Sequence, residues 1–336
     1  MNRRQRNLTT FARMFAVAGL MAGTGVTSLY APAAQADTWP SKPVTVIVPF
    51  PAGGGTDAFA RPLTAQLSKQ LGKQFVIDNR GGAGGTVGAS IAAKAAPDGY
   101  TLFIGGAHHA IAPSFYKKLD YDIEKDFIPI TVIAQPPQVI VVNSGKVQAT
   151  SVKDLIAYAK ANPGKLNYAS AGNGSSHHLA GELFKLQTQT DLIHVPYKGA
   201  GPALSDLIAG QVDLMFDGLG SSSQHIRAGR IKALAVASKT RSAAFPNVPT
   251  AAEAGLPNYD VSTWYALWAP KGTPKEVVDR LYAETTKALN NPEMKQIWLQ
   301  NGSDIPQYTP EQFAQFEHAE IKRWADVVQR SGAKID

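Results

Sequence analysis

Cysteine is absent from all 336 residues, so no disulfide staples this chain and its stability rests on an apolar core, which a chain of this length can bury. No concentrated basic stripe of the kind a nucleic-acid binder carries is present. No internal repeat, low-complexity tract or heptad seam occurs. The hydrolase signature G-x-S-x-G is missing too, so no nucleophile elbow is signalled. The one long apolar segment, about Met14 to Ala31, contains Gly, Thr and Ser and is short for a membrane span.

That segment follows Arg3, Arg4, Arg6 and Arg13, with no acidic residue before Asp37, and precedes Ala34-Gln35-Ala36. The order is that of a secretory signal peptide over residues 1–36, with Asp37 as the mature N-terminus. A retained anchor is the alternative. Gln5-Arg6-Asn7 after the arginine pair favours the ordinary secretory route over the twin-arginine one, and no cysteine stands at the cleavage site for lipidation. Removing the signal changes the electrostatics: the whole chain has 33 basic and 26 acidic residues, net +7, and losing four arginines leaves 29 against 26. Much of the high pI belongs to the export segment.

Beyond the signal, β-rich runs alternate with segments of helical period, the pattern of an α/β protein with parallel strands. Val44–Val48 is a strand. It leads through Pro49-Phe50-Pro51-Ala52-Gly53-Gly54-Gly55-Thr56 into a helix at about Asp57–Leu71 with Gly72 as its cap; Pro62 implies a kink or a short first turn. The strand Phe75–Ile77 repeats the device, with Gly81 to Thr86 leading into a helix at Val87–Ala95. Thr101–Ile104 is a strand ending in a loop that carries His108 and His109. Two β-branched runs, Ile128–Ala134 and Val139–Val142, flank Pro136-Pro137, where the chain is expected to cross between domains. Ser151–Ala161 is a helix, and the strand Leu166–Ala169 runs through Ser170 to Ser176 into another helix, the third copy of the glycine device. Strands at Ile193–Val195, Val212–Phe216 and Ile231–Ala237 follow, with a helix at Ala203–Gly210. The aromatic run Val261–Ala269 reads as the return crossing, and two or three amphipathic helices after Pro274 pack on the first domain. The expected division is therefore 37–138 with 263–336 as a discontinuous first domain, 139–262 as an inserted second, and a cleft between them.

A strand, a bare-backbone loop and a helix start present unpaired N–H groups and a positive dipole end to an anion. Gly53-x-Gly55-x-x-Ala58 with Asp78 also satisfies the dinucleotide fingerprint. Export, the bending prolines 49 and 51, and three copies of the loop argue instead for a small polyanion held in a cleft, or for a structural turn. Ser175 or Ser176 reads as an N-cap that can face a carboxylate, rather than as part of a triad with His177 and Asp217. His108-His109 and His177-His178 are adjacent pairs whose side chains diverge, so one member of each lining the cleft is favoured over a metal site. Lys198 is either a cation beside the cleft or solvated. Trp264 and Tyr265 are either cleft wall or core.

Several of these segments resemble the Bug/TctC family, the extracytoplasmic receptors of tripartite tricarboxylate transporters. They are Val-Pro-Phe-Pro-Ala-Gly-Gly-Gly-Thr-Asp (48–57), Asn-Arg-Gly-Gly-Ala-Gly-Gly (79–85), Ala-Pro-Asp-Gly-Tyr-Thr (96–101), Tyr-Ala-Ser-Ala-Gly-Asn-Gly-Ser-Ser-His-His-Leu-Ala-Gly-Glu-Leu-Phe (168–184) and Val-Pro-Tyr-Lys-Gly (195–199). The resemblance covers essentially the whole mature chain. It implies a two-domain α/β periplasmic binding protein of the Venus-flytrap, type II-like form. Such a protein is a monomer that takes no cofactor, metal or nucleic acid, catalyses nothing, and hands a small carboxylate, aromatic or dicarboxylate among the options, to membrane permease subunits. An exported carboxylate-processing enzyme or a signalling receptor is the alternative.

Carried over by motif, the ligand-facing loop of the first domain is Phe50, Pro51, Ala52, Gly53, Gly54 and Thr56, with Gly85 and Thr86 of the second loop. The implied carboxylate grip is Ser170, Gly172, Asn173, Gly174 and Ser175, beside Tyr197, Lys198 and Gly199. His108 and His109, in a loop that varies in the family, are candidate specificity elements, and Asp217 and Trp264 complete the set. Asp57 shapes its loop, since a carboxylate facing an anionic ligand would repel it.

Overall fold

The computed structural model describes residues 39–332, and every structural statement below concerns those residues. The signal-peptide segment 1–36 lies outside them. In chain order the elements are β1 Val44–Val48, α1 Gly55–Leu71, β2 Phe75–Asn79, α2 Thr86–Ala93, β3 Thr101–Gly106, α3 Ala107–Phe115, β4 Phe127–Ala134, β5 Gln138–Val142, α4 Val152–Ala161 and β6 Asn167–Ser170. They continue with α5 Ser176–Thr188, β7 Ile193–Pro196, α6 Ala200–Ile208, β8 Leu214–Gly218, α7 Leu219–Arg227, β9 Lys232–Val236, β10 Tyr265–Pro270, α8 Lys275–Asn290, α9 Pro292–Gln300 and α10 Pro310–Ser331.

The strands form two five-stranded sheets, ordered β2-β1-β3-β10-β4 and β7-β6-β8-β5-β9. In each, parallel strands on one side meet an antiparallel strand contributed by the chain after it has crossed over: β10 pairs antiparallel with β3 and β4, and β5 pairs antiparallel with β8 and β9. Helices cover both faces, so inner strands such as β5 (QVIVV) and β10 (YALWAP) are buried throughout, as continuous apolar runs require. The chain passes from the first sheet to the second between Ala134 and Gln138, and back between Val236 and Tyr265. The two connections lie side by side, joined by an antiparallel bridge between Pro137 and Ser262.

Three local expectations change. The aromatic run after Val261 is a connection only as far as Trp264; from Tyr265 it is a central strand of the first sheet, because Trp268 and its neighbours need cover on both faces. The residues after β3 form the helix α3 rather than a loop. Pro113 in its last turn masked the helical period, although helix-compatible Ala107, Ala110 and Ala112 are buried along it. Pro62 sits inside a continuous α1 without ending it. The tail helix α10 packs on α3 and β4 as expected, but also reaches α5 beyond the first sheet. Its Phe313 and Trp324 are fully buried, each large aromatic contributing about 2–3 kcal/mol from area alone.

Candidate functional site

Between the sheets lies a narrow cavity with room for only one or two water molecules. It is lined by Phe50 and Gly54 from the first glycine loop, Gly55 and Thr56 from the start of α1, His108 from α3, Ala171 and Ser175 from the third loop, Ser176 and His177 from the start of α5, Ala200 from α6, Thr263 from the return connection and Tyr265 from β10. The first turns of α1, α3, α5 and α6 therefore converge on one space. The first-turn N–H groups of a helix have no acceptor one turn back, and the dipole adds partial positive charge there. Among the described residues lining the cavity there is no lysine or arginine. Backbone donors, hydroxyls and imidazoles are what it offers a ligand. A ligand larger than a water or two requires it to widen.

Each start is shaped by its own chemistry. At α1 the Asp57 carboxylate accepts the Gly53 N–H at 3.1 Å and the Arg61 Nε–H at 2.7 Å, folding the loop back on the helix. Asp57 is buried and neutralised there, so it does not oppose an anion. At α5 the Ser175 hydroxyl caps the helix by accepting the His178 N–H at 3.3 Å.

The histidine pairs divide their labour. His109 Nδ1 accepts the Gly106 N–H at 3.3 Å, so its proton sits on Nε2, 3.4 Å from the Gly85 carbonyl. Burial holds its pKa at about 3. His178 does the same for the third loop: its Nδ1 accepts the Gly174 N–H at 3.3 Å and its ring stacks on His194 at 4.1 Å, with burial lowering its pKa to about 4. The other member of each pair lines the cavity. His108 packs edge-on against Phe50 at 4.6 Å with Nε2 lacking a partner, and burial holds its pKa well below the ordinary value. His177 presents its ring with Nδ1 unpartnered, while its Nε2 lies 3.5 Å from Asp217 Oδ1.

The candidate residues separate into three groups. Phe50, Gly54, Thr56, His108 and Ser175 line the cavity. Gly172, Asn173, Tyr197 and Lys198 line a second recess between the lobes, with Gly82 to Gly84, Tyr116 and Pro196; Tyr197 is held there by donating to Asp206 at 2.7 Å. The rest sit behind or between.

Ser170 is fully buried, pairs with His194 Nε2 at 2.6 Å and accepts the Gly172 N–H, so it shapes the loop from beneath. Gly174 and His109 serve the internal bonds above, because consecutive residues at a helix start cannot all face one cavity. Thr86 donates to the Ala83 carbonyl at 3.0 Å on the first lobe's surface. Asp217 stands behind His177, its Oδ2 accepting from Ser221 at 2.7 Å and Ser222 at 2.5 Å. Trp264 is core rather than cleft wall: its indole donates to Glu320 at 2.8 Å and packs on Phe313 and Phe316. Of the other lining residues, Ser176, His177 and Tyr265 were open alternatives in the sequence, as N-cap, as one of a histidine pair and as cleft wall or core, whereas Gly55, Ala171, Ala200 and Thr263 were not singled out as site residues. Ala200 opens a helix whose start the sequence places only near Ala203, and Thr263 arrives from 60 or more residues away in the chain and carries no local signal.

Pro51, Ala52, Gly53 and Gly199 belong to the seam where the lobes touch, while Gly85 packs within the first lobe against Phe50 and His108. A Cβ on Gly201 would fall 2.5 Å from the Ala52 carbonyl oxygen, and one on Gly84 (φ 61°) 2.5 Å from that of Asn173. Only bare backbone allows these approaches. The Tyr116 hydroxyl spans the second seam, 2.8 Å from both the Ala83 and the Asn173 carbonyl.

Residues 59–333 match the family model described as "Tripartite tricarboxylate transporter family receptor", TctC. Protein BugT of Bordetella pertussis is 39% identical over 325 residues, covering 96% of this chain and 98% of BugT. Among solved structures, the periplasmic binding protein BugD superposes with a TM-score of 0.85 at 36% identity, covering 88% of this chain and 99% of BugD. The Rhodopseudomonas palustris protein Rpa4515, solved with adipate, gives 0.86 at 39% identity over 88% of this chain and all of Rpa4515. MatC of the same organism, with bound malate, gives 0.82 at 38% identity over 86% of this chain and all of MatC. The two-sheet architecture is thus that of the two-domain periplasmic binding proteins, and the chain belongs to the TctC family of tripartite tricarboxylate transporter receptors.

Proposed function

We propose that this protein is a solute receptor that closes on a small carboxylate in the cavity between its lobes and presents the closed form to membrane permease subunits. The observation that carries the reading is the convergence of four helix starts from both lobes on a space lined by no fixed cation. Oriented N–H groups bind carboxylates without lysine or arginine, and closure, by excluding water, strengthens each bond. The malate and adipate held by two relatives are carboxylates of the size such a cavity takes once widened.

On this reading the lobes are residues 37–138 with 263–336, and 139–262, hinged at the paired connections. The glycine seams are the surfaces that meet on closure, and a carboxylate gains its grip from Ser175, Thr56 and the first turns beside them. The protein acts as a monomer, exported after removal of residues 1–36, and leaves its ligand chemically unchanged.

The test is a thermal-shift panel of succinate, malate, adipate, glutamate and benzoate, followed by recovery of the bound compound. At least one is expected to raise the melting temperature by several degrees and to be recovered intact, since saturation at ~100 times Kd adds about 2.7 kcal/mol to stability. No shift across the panel, or recovery of an altered compound, overturns the assignment.

A further inference from the structure

Beneath the cavity the described residues carry a buried acid–imidazole pair that the receptor reading leaves unexplained. Asp217 is fully buried at the end of β8. Its Oδ2 is satisfied by two serine hydroxyls from the first turn of α7, while Oδ1 has no hydrogen bond and lies 3.5 Å from His177 Nε2. The opposite ring nitrogen of His177, Nδ1, is equally without a partner, and the ring lines the cavity. Asp217 does not line it; the imidazole stands between the carboxylate and the space.

We propose that carboxylate capture draws one proton from solvent onto His177, so that an imidazolium forms between Asp217 and the ligand and donates Nε2–H to the one and Nδ1–H to the other. This rests on the carboxylate reading of the cavity and deepens it. A neutral imidazole carries one N–H. With the proton on Nε2, the Asp217 contact is satisfied but an arriving carboxylate meets the Nδ1 lone pair; with the proton on Nδ1, a lone pair faces Asp217. Only the doubly protonated ring satisfies both carboxylates, and it also offsets the second negative charge that a ligand brings to a water-poor site.

Other ionisable groups around the ring do not supply that charge. His108 faces it from α3 and is itself held neutral by burial. Tyr265 from β10 is buried, with its hydroxyl held in the neutral form. His178 follows it on α5, committed to the Gly174 N–H. His225 on α7 has its pKa lowered, first by burial. Asp57 on α1 is already paired with Arg61. Without ligand, burial outweighs the attraction of Asp217 and keeps the His177 pKa below the ordinary value, so the proton has to arrive with the ligand. His177 thereby acts as the element that selects an anionic acceptor at this position.

Calorimetry with the panel compound giving the largest thermal shift, run at pH 7.5 in phosphate and in Tris, reads the number of protons taken up. The proposal expects uptake approaching one per ligand, with affinity rising as pH falls by up to about tenfold per unit between the free and bound pKa values of the ring. His177→Gln should abolish both the uptake and the pH slope while still binding through the helix starts. Asp217→Asn should reduce the uptake, and if it fails to fold the His177 variant alone decides. Binding with no proton uptake in the natural protein overturns the inference and leaves the receptor reading standing; this is the result expected if a ligand hydroxyl or amino group instead donates to a neutral Nδ1. Uptake that persists in His177→Gln overturns it as well. Failure of every panel carboxylate to bind overturns the receptor reading and this inference together.

Discussion

Ala107-His108-His109 and Ser176-His177-His178 are the same local device built twice, once in each lobe. Each opens a helix after a glycine-containing corner, each uses its second imidazole to accept an N–H from that corner, Gly106 or Gly174, and each turns its first imidazole to the cavity. The two differ in what stands behind. Burial holds both rings neutral without ligand, but Phe50 packs on His108 whereas His177 is backed by Asp217, a partner that can stabilise a charge on it. Identical dipeptides in matching positions thus acquire different chemistry from residues distant in sequence: the ring environment, not the residue type, decides whether a histidine is a brace, a neutral wall or a proton acceptor.

The comparison breaks most completely if the two rings are kept from facing one cavity. Gly201→Val places a side chain where the Ala52 carbonyl must approach, and carboxylate affinity measured by calorimetry should fall roughly tenfold or more with little change in unliganded melting temperature, because only the closed form is penalised. Replacing the cavity rings separates their roles. At pH 6, His177→Leu should cost about tenfold in affinity and flatten its pH dependence, and His108→Leu about threefold with the slope kept, since a charge-assisted bond is worth roughly twice a neutral one.

The bracing rings should register in stability instead. His109→Phe leaves the Gly106 N–H without an acceptor, and denaturant unfolding at pH 7 should show a loss of about 1–3 kcal/mol. Its sign with pH is fixed by the depressed pKa of about 3. The folded state resists protonation, so His109 costs the natural protein stability as pH falls from its unfolded value near 6.5 towards 3. The variant should lose less over that range, and the gap between the two should narrow in acid.

Ser175→Ala removes the cap of α5 and one cavity hydroxyl. Affinity should drop several-fold, with about 1 kcal/mol of stability lost. Arg227→Ala is the smallest: its guanidinium sits over Phe245 and donates to the Gln300 carbonyl, away from the cavity, so carboxylate affinity should be unchanged within error.

Much of the frame was legible in the chain. The order of β-branched runs and helical segments, the crossing at Pro136-Pro137 and the glycine-rich helix starts are local features, written in propensity and periodicity over a few residues. Helix α3 was not, because Pro113 and two histidines weaken its period and its evidence is burial against α10 and β3. The site was half legible. The loop motifs marked Phe50 to Thr56 and Ser175, but motif spacing could not tell which residues of a loop face inward.

By itself the sequence determined where helix starts with free N–H groups would form, since a strand, glycines and a capping residue in succession leave such groups wherever the chain folds. The tertiary structure decided which of them share a space, that Gly84 and Gly201 serve as contact surfaces, that Trp264 belongs to the core, and that Asp217 lies behind His177 rather than behind His108. These are consequences of packing between segments tens to hundreds of residues apart, and burial and charge proximity, which set the protonation of a ring, exist only once those segments have met.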